Sequence, residues 1–284
     1  MGGGPVTVPA AASVTLAAPS LFSWRRVYAL VLRHVYLLRG SWARLAEMIY
    51  WPLLNVVIWG FFSQFFAGHS DWVARASGVL LGAVMLWDVL FRSNLGVALS
   101  FLEEMWSRNL GHLSVSPLRP IELVVAMLIM SLIRSVLGLA PAILLAIPLY
   151  HYSLFSLGPP LLLFLFNLMV TGWAVGLAVA ALVLRYGLGA ESLAWVLVLG
   201  IAPLCGIYYP LSALPDWLQA VAWFLPPSHI FEGMRTVMFD HVFPLQEMVI
   251  GLLENAIAML AAGAVFLRVY HVARVKGLFL SMGE

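Results

Sequence analysis

The chain has 284 residues, 63% of them hydrophobic and only 10% charged, and its mean hydropathy of +0.98 excludes a water-soluble globular domain. A formal net charge of +2 is too small to suggest nucleic-acid binding, so the basic residues read as topology signals rather than a binding surface. The single cysteine, Cys205, sits in an apolar run, can form no internal disulfide and reads as a structural thiol, which leaves the redox compartment open.

Residues 1–20, MGGGPVTVPAAASVTLAAPS, hold no Lys or Arg and are rich in Gly, Ala and Pro. They lack the charged start of a signal peptide, and Val6 spoils the Met-Gly start as a myristoylation signal, so a flexible tail is expected. Residues 21–284 then form a single transmembrane domain. It opens with LFSWRRVYALVLRHVYLLRGSWARL, residues 21–45. At about 100° per residue, Trp24, Val27, Val31, Val35, Leu38, Trp42 and Leu45 fall within roughly 80°, opposite Arg25, Arg26, Arg33 and Arg44. This predicts an amphipathic helix in the membrane interface, its arginines on anionic lipid head groups; a cytoplasmic helix packed on a partner is the alternative. Gly40 is placed to bend it.

A spanning helix needs about 20 mainly apolar residues, and six segments qualify or nearly do: 48–66, 78–102, 123–150, 159–184, 193–209 and 248–270. None alternates apolar with polar, so the expected fold is an all-α polytopic membrane protein with six transmembrane helices. With the N-terminus inside, the cytoplasmic side receives Arg25, Arg26, Arg33, Arg39, Arg44, Arg108, Arg119, Arg185, Arg268, Arg274 and Lys276, and the outside receives only Arg75 and Arg235. That bias places both termini in the cytoplasm of a cell membrane, expected to be a bacterial inner membrane. GVLLG (78–82) and GWAVG (172–176) have small-residue spacing for close helix contact.

Charges inside the spans are costly and face a bundle interior or an aqueous cavity. Asp88 and Arg92 stand one turn apart in the second span, and Arg134 shares their depth in the third. An Asp88–Arg134 or Asp88–Arg92 ion pair is one reading; a lining of the substrate path is the other. Glu254, about two turns into the last span, is placed to pair with Arg235 or to border the path. Between the second and third spans, EEMWSRNLGHLSVSPLRP (103–120) gathers charge and two prolines in the cytoplasm. It reads either as a solvated turn or as a short polar helix, bounded by Pro117 and Pro120, that passes a rigid-body push from a soluble partner. In the second reading Trp106, Leu110 and Leu113 anchor it beneath the bundle while its charges face the partner.

On the outer side, residues 206–235 carry Pro210, Pro215, Pro226 and Pro227, which forbid one continuous helix, around the apolar PDWLQAVAWFL. Asp216 after Pro215 suits a helix start. A re-entrant helical hairpin lidding a translocation path satisfies both facts, and an extracellular loop with a surface helix is the alternative.

Several chemistries are missing. The sole lysine, Lys276, is followed by Gly, so this chain has no P-loop. There is no nucleophile elbow, no H-E-x-x-H pair, and no Cys or His at metal-ligand spacing, so neither a catalytic nor a metal site is expected.

The order YYPLSALPDWLQ, then LPPSHIFEGMR, ahead of the last span resembles the type-two ABC exporter permeases, the membrane subunits of exporters that move drugs, lipids or lipid-linked polysaccharides. The resemblance takes in the amphipathic helix, the six spans and the 103–120 loop, covering about residues 21–275. It implies a coupling helix resting on a nucleotide-binding subunit, at Glu103, Glu104, Trp106, Arg108, Asn109, Leu110, Gly111, His112 and Leu113. The centre here, Arg-Asn-Leu-Gly-His-Leu, departs from the family's basic-Gly-Thr-Leu-Glu. The resemblance further implies a homodimer with two copies of a separate ATPase, which would hold ATP and magnesium, and outer-gate residues Tyr208, Tyr209, Pro210, Pro215, Asp216, Glu232 and Arg235. An amphipathic, lipid-like or drug-like substrate, or a lipid-linked glycan, is expected to leave the cytoplasm by alternating access. The rival is an ion- or proton-coupled secondary transporter using Asp88, Arg92, Arg134 and Glu254, which should show matched broken helices in both halves. A membrane-embedded enzyme would need clustered nucleophile, base or metal ligands, which the sequence does not offer.

Overall fold

The computed structural model describes residues 22–67 and 71–277; the tail at 1–20 and the side chain of Arg75 lie outside the described residues. Among those described there are helices and turns but no strands. In chain order the α-helices are α1 (Trp24–Arg39), α2 (Trp42–Ala67), α3 (Asp71–Trp106), α4 (Leu110–Val115), α5 (Pro120–Tyr150), α6 (Pro160–Tyr186), α7 (Leu193–Ile201), α8 (Asp216–Ala222), α9 (Pro226–Asp240) and α10 (Leu245–Val275).

Five helices, α2, α3, α5, α6 and α10, are long and apolar enough to cross a membrane. The expected span at 193–209 is instead broken: α7 has 9 residues, a 3₁₀ turn follows at Ala202–Leu204, and the chain then turns at Gly206. Pro203 cannot donate into a continuing helix, and Gly206 adopts φ +69°, a left-handed conformation that ends it. The segment nonetheless returns along the bundle. Asn167 and Thr171 of α6 bond Asn255 of α10, while Leu184 and Arg185 meet Val265–Lys276 at the other end, so α6 and α10 run parallel. Residues 187–244 must therefore travel back between them, and they do so by way of Ala194, beside Asn94, and Tyr208, stacked on Trp59.

The helical boundaries shift in two other places. The expected amphipathic helix over 21–45 ends at Arg39; the chain breaks at Gly40 and Ser41, and Trp42–Leu45 begins α2. α3 runs past Leu102 to Trp106, so the loop expected over 103–120 contracts to residues 107–119, with α4 as its only helix.

α3 lies at the centre. Its most hydrophobic window is 72% buried, against 17% for α2 and for α10, so α3 meets protein on nearly all sides while α2 and α10 present open apolar faces. Glycines let α6 approach α3 closely. A Cβ on Gly172 would stand 2.5 Å from the Leu90 carbonyl oxygen, and one on Gly176 2.7 Å from Val97 Cβ. GWAVG is thus a close-packing face, as its spacing implies. GVLLG is one by half: Gly82 abuts Tyr152, but Gly78 has nothing within 4 Å. Polar bonds reinforce the contact, with Trp173 Nε1 donating to Ser131 Oγ (3.1 Å) and Ser131 Oγ to the Ser93 carbonyl (2.8 Å), linking α6, α5 and α3.

Gly172→Ala forces Cβ into the α3 backbone, which cannot yield as a flexible side chain would. Overpacking of this kind should lower stability by about 1–3 kcal/mol, read as a lower thermal midpoint of the purified protein in detergent, whereas Gly78→Ala should not lower it.

Candidate coupling and pathway sites

The end of the bundle that carries α1 and α4 holds three buried carboxylates. Glu122 follows Pro120 in the first turn of α5, so its carboxylate caps the helix by accepting from the Arg119 N–H (2.9 Å). It also accepts from the Ser23 N–H (2.8 Å) and from Arg26 through Nε (2.8 Å) and Nη2 (2.6 Å). A bidentate guanidinium and two backbone donors satisfy both its oxygens. Glu104, fully buried in α3, pairs with Arg33, lies 3.3 Å from His34 Nε2, and accepts from Asn109 Nδ2 at 2.6 Å. Glu103 pairs with Arg134 (2.6 Å) and Arg44 (3.1 Å). Together these contacts fasten α1, α2, α5 and the start of α4 to the last turn of α3.

This arrangement corrects several expectations. Glu103 and Glu104 belong to the spanning helix, and their burial removes them from any docking surface. Trp106 does not anchor the loop; it is half exposed, and Leu110 is the buried anchor. On α1 the buried face is Val27, Leu30, Val31, His34 and Leu38, while Trp24, and Trp42 at the start of α2, are exposed. The helix packs its apolar face on its own bundle, and Arg26 and Arg33 meet carboxylates. What α4 and its flanks do expose is Trp106, Ser107, Arg108, His112, Val115 and Pro117. Arg108 holds φ 52°, a left-handed conformation unfavourable for a side chain this size. Gly111 lies half-buried in α4, and Asn109 is turned inward onto Glu104.

Neither expected Asp88 ion pair is among the described salt bridges. Asp88, buried, accepts from Asn55 Nδ2 at 3.1 Å, and Arg92, one turn on, has a buried Nε with no hydrogen-bond partner, although its charge still acts on Asp88. Arg134 goes to Glu103, fifteen residues or about 22 Å along α3 from Asp88. Helix geometry explains the choice. Side chains lean toward the N-terminus of their own helix, so on these antiparallel helices Arg134 leans toward Glu103 and Glu103 toward Arg134, while Asp88 leans away.

At the opposite end, Arg235 bonds Glu232 (3.0 Å), the Tyr209 carbonyl (2.8 Å) and the Gly206 carbonyl. Glu232 also accepts from the Leu211 N–H (2.7 Å), and Tyr209 OH donates to the Pro203 carbonyl (2.7 Å). Tyr209, Glu232 and Arg235 thus form one clamp on α9, while Tyr208 stacks on Trp59 of α2 and Pro210 lies in the clamped stretch between Tyr209 and Leu211. Pro215 and Asp216 start the separate seven-residue α8, and Pro226 and Pro227 start α9. Arg235 does not reach Glu254. Instead Glu254 lies 3.6 Å from His229 Nε2, whose ring bonds Glu247 (2.6 Å) and the Trp223 carbonyl (2.8 Å), closing the α8–α9 turn against α10.

The chain matches the ABC-2 type transporter family over residues 27–239, well over half its length. It belongs to that family. An ABC-2 membrane domain is the non-catalytic permease component of an ABC transporter and works with an ABC ATPase component, which displaces the ion-coupled alternative. No individual curated protein shows significant similarity to the chain. The ABC-2 match starts at Val27 within α1 and ends at Phe239 within α9, so the three buried carboxylates and the Arg235 clamp fall inside it, while Ser23 and Arg26 lie just before it.

Of this permease's site residues, sequence reasoning missed Arg26, Arg33, His34, Arg44 and Glu122 in the carboxylate cluster, and His229 and Glu247 at the far end. Glu122 alone left a local signal, an acidic residue two places after a helix-opening proline. Removing one partner of a buried ion pair is expensive, about 3–5 kcal/mol. Glu104→Gln should fall near the lower bound, because Arg33 is partly accessible to water. The exposed Arg39→Gln should stay within about 0.5 kcal/mol of the parent, both read from thermal unfolding in detergent.

Proposed function

We propose that this permease forms a homodimer with two copies of a separate ATPase and exports an amphipathic, lipid-like or drug-like substrate, or a lipid-linked glycan, by alternating access. The end with α1 and α4 is the cytoplasmic one, in keeping with the concentration of basic residues there. Residues 187–209 serve as the sixth crossing, and α8–α9 lid the outer mouth. The open apolar faces of α2 and α10 are available to lipid and to the second copy.

One observation carries the coupling role: α4 is exposed on its outer face yet fastened to the bundle core through the Asn109–Glu104 bond at 2.6 Å. A force applied to His112 or Val115 is passed to a carboxylate that α1 also grips. A soft loop would absorb the same push. Arg108 in its left-handed conformation supports this reading, since strain of about 1–3 kcal/mol persists where surrounding structure imposes it and clusters at functional surfaces.

ATP-driven approach of the two ATPases would then move the α4 helices and, with them, whole bundles. His112→Asp with Val115→Asp should cut transport and substrate-stimulated ATP hydrolysis by at least about tenfold, the equivalent of ~1.4 kcal/mol at the docking face, in a reconstituted complex whose permease keeps its thermal midpoint. Full transport by that variant removes the docking role.

A further inference from the structure

We propose that the cavity between the C-terminal ends of α6 and α10 binds the phosphate head of an anionic membrane lipid. The cavity has a volume of about 560 Å³, and its lining contains Arg185, Arg268 and Lys276 but no carboxylate. Its apolar wall includes Val265, Val269 and Val272. On α10, positions 265, 268, 269, 272 and 276 recur at helical spacing, so one stripe of the helix supplies both the cations and the apolar surface.

The three cations here gather round one cavity without an acid, unlike the arginines of the carboxylate cluster. Arg26, Arg33, Arg44 and Arg134 each meet a carboxylate of α3 or α5. Among the described residues no salt bridge joins Arg185, Arg268 or Lys276 to an acid; Arg185 lies over the Tyr186 ring at 5.4 Å. Helix dipoles account for cations in the last turns of α6 and α10. They do not account for Arg268, seven residues and roughly 10 Å before the end of α10.

Three cations around an apolar slot at the end of two spanning helices match a ligand with a negative head and a hydrocarbon tail. A soluble phosphate ion would satisfy the cations and leave the valine wall unused. Val265 and Val272 are 52% and 41% exposed, open to acyl chains. A second copy seated here across a two-fold axis would set its three cations against these three, a like-charge contact that opposes association.

The test uses the full-length purified chain in zwitterionic detergent, with lipid retention read by native mass spectrometry. Phosphatidylglycerol and phosphatidylcholine of matched acyl chains are compared. The parent should retain phosphatidylglycerol at about tenfold lower concentration or better, since each basic residue near a membrane surface contributes appreciably and salt screens part of it. R185Q/R268Q/K276Q should lose that preference, R268K should keep it, and R39Q/R119Q, with two cations removed elsewhere, should keep it too. All three cations are exposed, so the triple variant should retain its thermal midpoint. The proposal is overturned by a parent with no preference, by a triple variant that keeps it, or by equal losses in the triple variant and the R39Q/R119Q control. It is also overturned if millimolar inorganic phosphate displaces the phosphatidylglycerol, which marks a free-anion site. A triple variant whose lipid retention is unchanged while its dimerisation or ATPase binding alters assigns the surface to a protein partner and likewise overturns the proposal.

Discussion

A carboxylate taken out of water must find cations or hydrogen-bond donors, and this permease buries three of them together at one end of its bundle. Glu103, Glu104 and Glu122 are each met by groups from other helices, and this need fixes where α1, α2, α4 and α5 stand relative to α3. Such pairs are not cheap sources of stability, because desolvation cancels much of the attraction. Their effect is on specificity. Displacing α1 alone strands a charge, and displacing α4 alone costs the buried Glu104 a hydrogen bond, so the low-energy motions are those in which these elements move together.

The centre of the bundle has the same character. α3 is gripped through glycine contacts by α6, and the Trp173–Ser131–Ser93 bonds tie α5 in. At the far end the Arg235 clamp holds residues 206–211 to α9, and the His229 contacts hold the α8–α9 turn to α10. The permease therefore has tight fastenings at both ends and along its middle, while the α2 and α10 faces stay open. That distribution suits a subunit that rocks as a body against a neighbour rather than one that opens by internal melting.

Much of this was legible in the sequence because its signals are local. Hydrophobic length marked the five helices long enough to cross a membrane, Asp216 after Pro215 marked the start of α8, and GWAVG marked a close-packing face. The misreadings share a cause. Glu103 and Glu104 look like the first polar residues of a loop, and only the structure shows α3 continuing through them, because their cations lie 31 to 71 positions away in the chain. Asp88 and Arg134 were matched by depth, but depth ignores the lean of side chains along antiparallel helices. The arginines of α1 looked like lipid contacts for the same reason: nothing near them in sequence reveals Glu104 or Glu122. The 193–209 segment reads as a span by composition, yet Pro203 and Gly206 break it.

The central claim, that α1 and α4 move as one body through their shared grip on Glu104, is tested most directly by a distance between them. Tyr36 on α1 and Val115 on α4 are 61% and 84% exposed, whereas the only cysteine, Cys205, is buried, so spin labels can be placed at the two surface positions. Double electron–electron resonance on the assembled transporter, nucleotide-free and trapped with ATP, reads the separation within one permease. The account predicts the same single distance in both states, within the width of the distribution. A separation that shifts or splits when ATP binds would show α4 moving independently of α1, and would contradict it.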